Sequence, residues 1–184
     1  LASRRIYQTS HALRFPGSTP LGAGGNVRFL PALLAAVVEG DDIVAVQRIF
    51  LQPNGRPALL VKFKRSLGSP RAGAVRLRPA QNVLGLAEGI ENAASASTLL
   101  GIPVWATLGA ERFDRVAIPQ SVKRLILLAD NDRAGQRAVV KAKARYMQLG
   151  RQLLTLWPPA PFNDWNDLHR AGGEVGVEWA RLAA

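Results

Sequence analysis

The sequence predicts an α/β fold, in which helices flank a parallel sheet and a smaller, mainly antiparallel α+β lobe comes first. Two observations indicate the parallel sheet. Short apolar runs bounded by turn residues lie at 83–87 and 125–129, and Ala-rich helical segments alternate with such runs. Strand-like runs before an Asn-Gly turn indicate the antiparallel lobe. We therefore expect a basic N-terminal lobe over residues 1–80 and a second domain over residues 81–184.

Composition narrows the classes of protein. The 184 residues can hold one large domain or two small ones, and the absence of Cys excludes disulfides and a Cys-based zinc site. A formal net charge of +11 favours nucleic acid as a partner, although a GC-rich genome that encodes Arg in place of Lys would also raise it. No apolar run approaches the ~20 residues that cross a bilayer, so we expect no membrane partner. The absence of Cys fits a cytoplasmic protein. Since residue 1 is Leu, we expect a fragment of a longer protein.

In the N-terminal lobe, the Gly- and Pro-rich residues 1–25 predict a short helical start followed by a loop. Strands are predicted over 31–38 and 43–51. Residues 53–55 (Pro-Asn-Gly) predict a hairpin turn, because Asn-Gly accepts the positive φ angles that such turns require. The partner strand is expected over 59–64.

Strands and helices alternate along the second domain, which predicts right-handed βαβ units. The predicted elements are strands at 83–87, 104–108, 125–129 and 153–156, helices at 91–100 and 134–149, and a helical or turn segment over 110–120. Gly150 ends the second helix. Core spacing on that helix is shown by Ala138, Ala142, Tyr146 and Leu149.

The lobe's charge is one-sided. No Asp or Glu occurs between Asp42 and Glu88, whereas this interval holds eight cations, Arg48, Arg56, Lys62, Lys64, Arg65, Arg71, Arg76 and Arg78. A basic stretch is usually a solvated face. Because this one precedes a carboxylate cluster that would repel phosphate, we favour a track for a nucleic-acid backbone. Its expected contacts are Lys62, Lys64, Arg65 and Arg71.

A second group of cations recurs every four residues along the helix predicted over 134–149 and its preceding residue: Arg133, Arg137, Lys141 and Arg145. This stripe, too, is typical of a solvated helix face. Its N-terminal end follows the predicted acidic loop, so we expect Arg133 and Arg137 to meet the phosphates of a triphosphate or a primer–template.

Carboxylates follow two of the predicted strands. Glu88 comes after the strand at 83–87, and Asp130 and Asp132 come after the strand at 125–129. Ligands bind beyond the carboxyl ends of such strands, and clustered carboxylates repel each other unless a divalent cation joins them. Oxygen ligands without Cys favour Mg²⁺ or Mn²⁺. Alternatively, these acids only cap the helices that follow, and one carboxylate can cap while another binds metal.

A Glu-Gly motif after one strand and an Asp-x-Asp motif after a later one resemble the Toprim domain. Bacterial-type primases, type IA and type II topoisomerases and some nucleases share that domain. Residues 87–91 (Ala-Glu-Gly-Ile-Glu), followed by an Ala-rich helix, are similar to primases of plasmids, phages and integrated elements, and residues 163–168 (Asn-Asp-Trp-Asn-Asp-Leu) are similar to that subfamily's closing motif. The resemblance covers about residues 83–171 and implies a Rossmannoid Toprim sheet.

The resemblance implies Mg²⁺-dependent phosphoryl transfer. It implies that Glu88 acts as a general acid or base and also touches metal, while Asp130 and Asp132 hold Mg²⁺. Such an ion would bridge phosphate oxygens and stabilise developing charge.

Three further positions match the subfamily's acids. The resemblance implies that Asp164, supported by Asp167, holds a second metal, and that Glu91 is a retained acid. Asn92 departs from the small hydroxyl residue that many relatives carry, yet an amide at a helix start can still supply a polar contact.

The resemblance therefore implies the catalytic core of a DNA primase from a mobile element. It would act as a DNA-directed RNA polymerase that joins nucleoside triphosphates on a single-stranded DNA template, and we expect helicase and zinc-binding modules outside this sequence. The alternatives are a Toprim nuclease or other DNA-transaction enzyme, and a non-catalytic nucleic-acid-binding accessory. A type IA topoisomerase is disfavoured, because it needs a nucleophilic Tyr. The two tyrosines of this sequence are Tyr7, in a loose terminus, and Tyr146, on a predicted core face. Trp165 is a candidate for base stacking.

Overall fold

The computed structural model describes residue 6 and residues 9–148 and 150–176. Its N-terminal strands are β1 (Leu13–Arg14), β2 (Thr19–Leu21), β3 (Arg28–Leu30), β4 (Ala32–Glu39), β5 (Asp42–Phe50) and β6 (Lys64–Gly68). The later elements are β7 (Val75–Arg76), β8 (Val83–Ala87), α1 (Ile90–Leu100), β9 (Val104–Ala106), β10 (Arg124–Leu128), α2 (Arg133–Met147), β11 (Gln152–Leu156) and α3 (Trp165–Arg170). Short 3-10 turns cover Gly24–Asn26 and Ala110–Arg112.

A five-stranded sheet forms the centre of the second half of the chain, in the order β11-β10-β8-β9-β7. Its first four strands are parallel, and β7 pairs antiparallel with β9. The predicted α/β class with a parallel sheet is confirmed. The register pairs Leu128 with Ala87, so β8 and β10 end side by side. The residues that follow these two strands therefore begin at one edge of the sheet.

The parallel strands are buried on both faces. Successive strand residues point to opposite faces, and helices cover each face of this sheet. Ile126 and Leu128 of β10 pack in one cluster with Ile90 and Ala93 of α1, whereas Leu125 and Leu127 belong to a second cluster with α2. Continuous apolar sequence is what a strand covered on both faces requires, and this explains why β8 and β10 are recognisable from sequence.

The N-terminal strands form an antiparallel sheet in the order β1-β4-β5-β6, with β2 and β3 paired separately. The predicted strands at 31–38 and 43–51 are confirmed to within one residue as β4 and β5. Residues Leu33, Val37 and Ile49 share the core cluster that contains α1, so this lobe packs against the helix that follows Glu88. All five residues of β6 are exposed at the edge of the sheet.

The partner strand of β5 exists, but its predicted bounds of 59–64 are wrong, since β6 covers Lys64–Gly68. The turn at 53–55 closes a single bridge between Leu51 and Pro57, with Gly55 at a φ of 79°. Residues 59–62 then form bends and turns outside the sheet, and Lys64 is the residue that pairs with Ile49. Leu59 lies in this stretch and is 90% exposed, so this apolar residue is not packed in a strand.

Two further predictions concern the loop before residue 25 and the helix over 134–149. The predicted loop before residue 25 contains the short strands β1 and β2, while the predicted helical start falls mostly on residues outside the described part. The helix predicted over 134–149 is α2, whose residues Ala138, Ala142 and Tyr146 are buried as expected. Leu149 also lies outside the described residues. Within the described ranges, no helix is long and apolar enough to cross a membrane.

Candidate active site

Glu88 directly follows β8, at the sheet edge where β10 also ends. Its carboxyl group is half-buried, and this burial raises its pKa above the ordinary value. The nearby charges of Asp132 and Glu111 raise the pKa further, while a hydrogen bond from the Ala110 backbone and the charge of Lys64 oppose the shift. A raised pKa is the property that a carboxyl group needs to exchange protons near neutral pH.

Asp130 has the more strongly perturbed carboxyl group. Desolvation by burial is the main cause, and the charges of Glu88, Asp164 and Asp132 add to it, so that its pKa is raised to about 7. The Asn92 amide donates a 2.8 Å hydrogen bond to Asp130 Oδ1, which lowers the pKa in part. Two of these three charges, Glu88 and Asp132, belong to the acids that the sequence predicted to converge with Asp130, and Asp164 joins them.

Asp132 and Asp164 both cap helices. Asp132 Oδ1 accepts a 2.6 Å hydrogen bond from the Gly135 amide at the start of α2, and Asp164 Oδ1 accepts one of 2.7 Å from the Asp167 amide at the start of α3. The capping interpretation therefore holds for one oxygen of each carboxylate. A carboxylate has a second oxygen, so a cap does not prevent an ion from binding there.

Asn131 binds the segment before Asp164 and so holds that acid close to the others. Its side-chain amide donates 2.8 Å hydrogen bonds to the carbonyls of Pro158 and Phe162, and its backbone amide donates to Asn163 at 2.7 Å. The segment after β11 is thereby tied to the loop after β10. This contact places Asp164 within electrostatic range of Asp130.

A buried network of polar side chains supports the acids from behind, and the sequence did not reveal most of it. Asn92 Oδ1 accepts from the Asn166 backbone amide at 3.2 Å, and the Asn166 side chain donates to Ser95 Oγ at 2.9 Å. His169 Nδ1 lies 3.2 Å from the same hydroxyl. The polar contact expected of Asn92 is present. One feature of the sequence could have indicated the partners Ser95 and Asn166: each is a polar residue on a helix face that is otherwise apolar.

The N-terminal lobe reaches this site through Lys64, at the start of β6. Lys64 Nζ lies 4.0 Å from Glu91 Oε2 on α1. Both residues line a cleft of about 210 Å³. The other residues lining this cleft are Glu88, Gly89, Asn92, Asp130, Asp164 and Asn166. The structure therefore brings together Glu88, Glu91, Asp130, Asp164 and one cation of the basic lobe.

The other predicted cations lie elsewhere on the surface. Those proposed as nucleic-acid contacts are exposed and do not line the cleft: Lys62, Arg65, Arg71, Arg133 and Arg137. Two cations of the acid-free interval have structural partners instead. Arg48 donates to the Pro20 carbonyl, and Arg76 donates to the Gly40 carbonyl with its guanidinium 4.5 Å from the Trp105 ring centroid. Asp167, the remaining predicted acid, lies 3.8 Å from Arg170.

Trp165 and Tyr146 are both core residues, which corrects the prediction for Trp165 and confirms that for Tyr146. Trp165 is fully buried at the start of α3, so it is not the base-stacking platform that its sequence position suggested. Tyr146 is buried and donates a 2.9 Å hydrogen bond to the Val116 carbonyl, as a core residue does. Tyr7 lies outside the described residues.

Arg112, which the sequence did not single out, fixes the loop beside Glu88. Its guanidinium is buried and donates to the carbonyls of Thr107 at 2.7 Å and Gly73 at 2.8 Å. The same loop holds Leu108 at a φ of 68°, a conformation unusual for a residue with a Cβ. The Leu108 amide donates to the Glu88 carbonyl at 2.9 Å. Strained backbone of this kind is held in place by its surroundings and clusters at functional sites.

The donor set fits a hard divalent cation bound by few protein ligands. In residues 6, 9–148 and 150–176, no three or more His, Cys, Asp or Glu side chains form a group that could hold a metal ion, so an ion here would have at most two such ligands. Mg²⁺ commonly binds through one or two carboxylates and keeps several waters. The like charges that raise the pKa of Asp130 are what such an ion would neutralise.

Comparisons with known proteins assign the second half of the chain to a family. Residues 83–174 match the model of a Toprim domain, and residues 1–77 match a domain of unknown function (DUF7146). No curated protein sequence matches the chain.

Solved primase structures share the fold. The primase fragment of the bacteriophage T7 primase-helicase protein is 16% identical with a TM-score of 0.55, and covers 84% of this chain and 63% of its own. A DNA primase domain from Pseudomonas aeruginosa is 16% identical with a TM-score of 0.58, covering 86% and 54%. The Aquifex aeolicus primase (zinc-binding and RNA polymerase domains) is 14% identical with a TM-score of 0.64, covering 90% and 44%.

The chain thus spans between 44% and 63% of the length of these three structures. At such low identity the likeness shows a shared fold. The family match is more specific, because it covers half of the 184 residues and includes the segments that carry Glu88, Asp130 and Asp164. The chain therefore belongs to the Toprim domain family.

Proposed function

We propose that this chain is the catalytic core of a primase-like enzyme that makes RNA primers on single-stranded DNA. The observation that carries the proposal is that Glu88 and Asp130 lie close together after the ends of adjacent parallel strands. Both carboxyl groups have raised pKa values. Lys64 from the basic lobe lines the same cleft. Acids that can hold a metal and exchange protons, beside a cation that can meet phosphate, suit nucleotidyl transfer.

Each acid has a proposed role. Glu88 is the general acid or base, and its raised pKa brings proton exchange closer to neutral pH. Asp130 and Asp132 hold one divalent ion, which Glu88 also touches, and Asp164, supported by Asp167, holds a second, while Glu91 is a secondary acid. When bound, Mg²⁺ or Mn²⁺ would supply charge stabilisation to the transferring phosphoryl group.

The nucleic-acid track is proposed to run over exposed cations of the N-terminal lobe and of α2. On the lobe these are Lys62, Lys64, Arg65 and Arg71, and on α2 they are Arg133 and Arg137. Lys64 and Arg65 are exposed on β6, an edge strand, and Lys62 and Arg71 are exposed before and after it, so all four are accessible to a phosphate backbone. The template is single-stranded DNA and the second substrate is a nucleoside triphosphate.

We also propose a division into a basic lobe at residues 1–80 and a Toprim domain at residues 81–184. The separate antiparallel and parallel sheets support this division, although β7 adds a strand from the first segment to the second sheet. Because the chain spans only part of each related structure, we propose that helicase and zinc-binding modules complete it and that it works in DNA replication in the cytoplasm.

The test is ribonucleotide incorporation on single-stranded DNA with Mg²⁺ or Mn²⁺, comparing Glu88→Gln with the wild type. The variant keeps the side chain's size and loses its proton exchange, so turnover should fall by roughly 10²–10⁴. Glu174→Gln, at an exposed position, is the matched control and should retain activity. Full primer synthesis by Glu88→Gln would contradict the role of Glu88. Degradation of the template instead of RNA synthesis would identify a nuclease.

A further inference from the structure

A pocket of about 380 Å³ opens beside the acidic cleft, on the N-terminal lobe. Its buried floor includes Leu33 of β4 and Ile49 of β5. Two aromatic side chains, Phe15 and Phe63, line it as well. Its volume lies within the range of pockets that enclose small organic ligands, and its lining is mostly apolar.

Phe15 is the unusual member of this lining. It is 61% exposed, so the fold does not need it as a core residue. A large aromatic side chain that stands in a pocket and remains accessible offers a ring face to a flat ligand.

Charges at this pocket favour a ligand with an anionic part. Two cations, Arg56 and Lys64, line it against one acid, Glu91, and Lys64 Nζ lies 5.9 Å from the centroid of the Phe63 ring. The pocket therefore combines an apolar, aromatic interior with cations, as sites for nucleotides do.

The pocket and the acidic cleft are neighbours with a common wall. Lys64 and Glu91, which lie 4.0 Å apart, line both of them. A ligand with a flat apolar end and a chain of phosphates can occupy the pocket with one end and reach the carboxylates with the other. The pocket is too small for a strand of nucleic acid, whereas a single base fits within 380 Å³.

We propose that this pocket holds the base of a nucleoside triphosphate, whose phosphates extend past Lys64 toward Glu88 and Asp130. The proposal rests on the proposed function for the identity of the ligand. It assigns Phe15 and Phe63 as the residues that contact the base.

The experiment measures binding of ATP, with Mg²⁺ present, to the folded chain by equilibrium dialysis. Phe15→Ala should weaken ATP binding by about 5- to 150-fold, the range that loss of base–aromatic stacking gives. Tripolyphosphate, which has no base, should bind wild type and variant equally. Phe29→Ala is the matched control, since Phe29 is 64% exposed and does not line the pocket. Phe15→Leu, which keeps an apolar side chain, provides a second variant if Phe15→Ala fails to fold.

Equal ATP affinity in the Phe15 variants and the Phe29 control would overturn the proposal, as would a wild type that binds ATP no better than tripolyphosphate. These outcomes are separable from failure of the proposed function. If Phe15→Ala weakens ATP binding and the wild type makes no primer in the presence of single-stranded DNA, the pocket stands and the primase assignment falls. If primers are made and Phe15 has no effect on ATP binding, the pocket alone falls.

Discussion

At the scale of single residues, the site depends on how Asp130 is held. Its carboxyl group is partly buried among like charges, which raises its pKa to about 7. One oxygen accepts from Asn92, and its backbone carbonyl lies against Gly135 of α2. The sequence predicted that Glu88, Asp130 and Asp132 would lie near each other, because parallel strand ends meet at one edge. It could not show the buried partners Ser95 and Asn166, since only the packing of α3 on α1 brings them into contact.

We predict that Asn92→Ala raises the pKa of Asp130 above its present value of about 7, because the hydrogen bond that lowers it is removed. The variant also loses the contact to the Asn166 amide, and its free energy of unfolding should fall by about 1–3 kcal/mol. NMR titration of the Asp130 carboxyl carbon and denaturant unfolding measure the two effects. Thr98→Ala, at an exposed position on the same helix, is the control. An unchanged Asp130 titration would show that Asn92 is structural only.

At the scale of elements, α2 begins where the acidic loop ends, and Gly135 sets how closely they approach. A Cβ at Gly135 would collide with the Asp130 carbonyl oxygen. The sequence predicted β8, β10 and α2 well, because buried strands and an amphipathic helix leave clear patterns. It placed the partner of β5 too early, because the apolar residues at 59–61 resemble a strand although Leu59 and Val61 are exposed in the structure.

Gly135→Ala should therefore destabilise the protein, against the usual trend in helices. In an ordinary helix interior this change stabilises by about 1 kcal/mol. Here the added methyl group must displace either α2 or the Asp130 backbone, and overpacking typically costs about 1–3 kcal/mol. Thermal unfolding without metal measures the effect, with Gln136→Ala as the control at the adjacent exposed position. A variant that melts above the wild type would contradict the close approach.

At the scale of the whole molecule, the basic lobe and the Toprim domain meet at the site. Lys64 reaches Glu91, and buried Arg112 binds the carbonyls of Gly73 and Thr107 on the two sides. The net charge of +11 and the one-sided charge of the basic lobe are both visible in the sequence. It could not tell which cations are exposed, and Arg48 and Arg76 prove to have structural partners.

Binding of single-stranded DNA should weaken steeply with salt, since each neutralised phosphate contributes about −0.7 to the log–log slope. Changing Lys62, Lys64 and Arg65 together to Ala should make that slope shallower by about 2, because three phosphate contacts are lost. Lys123, Lys143 and Arg145 changed to Ala remove the same charge from exposed positions outside the proposed track. Equal slopes for the two triple variants would contradict a track on β6 and leave net charge as the explanation.

The central claim, that the acids hold a divalent ion, is tested most directly by the Mn²⁺-induced rise in melting temperature. At ten times its Kd, an ion that binds only the folded state stabilises it by about 1.4 kcal/mol, or about 3–6 °C for a chain of this size. The rise should be larger at pH 8 than at pH 6, because Asp130, with a pKa of about 7, must lose its proton to bind metal.

The decisive comparison is the variant with both Asp130→Asn and Asp132→Asn, in which Asn can still cap α2. It should show no Mn²⁺ response and, without metal, melt no lower than the wild type, because mutual repulsion has been removed. The exposed pair Asp41→Asn with Asp42→Asn should respond as the wild type does. A full Mn²⁺ shift in the Asp130 and Asp132 double variant would show that these aspartates are helix caps rather than metal ligands, and the proposed chemistry would fall with them.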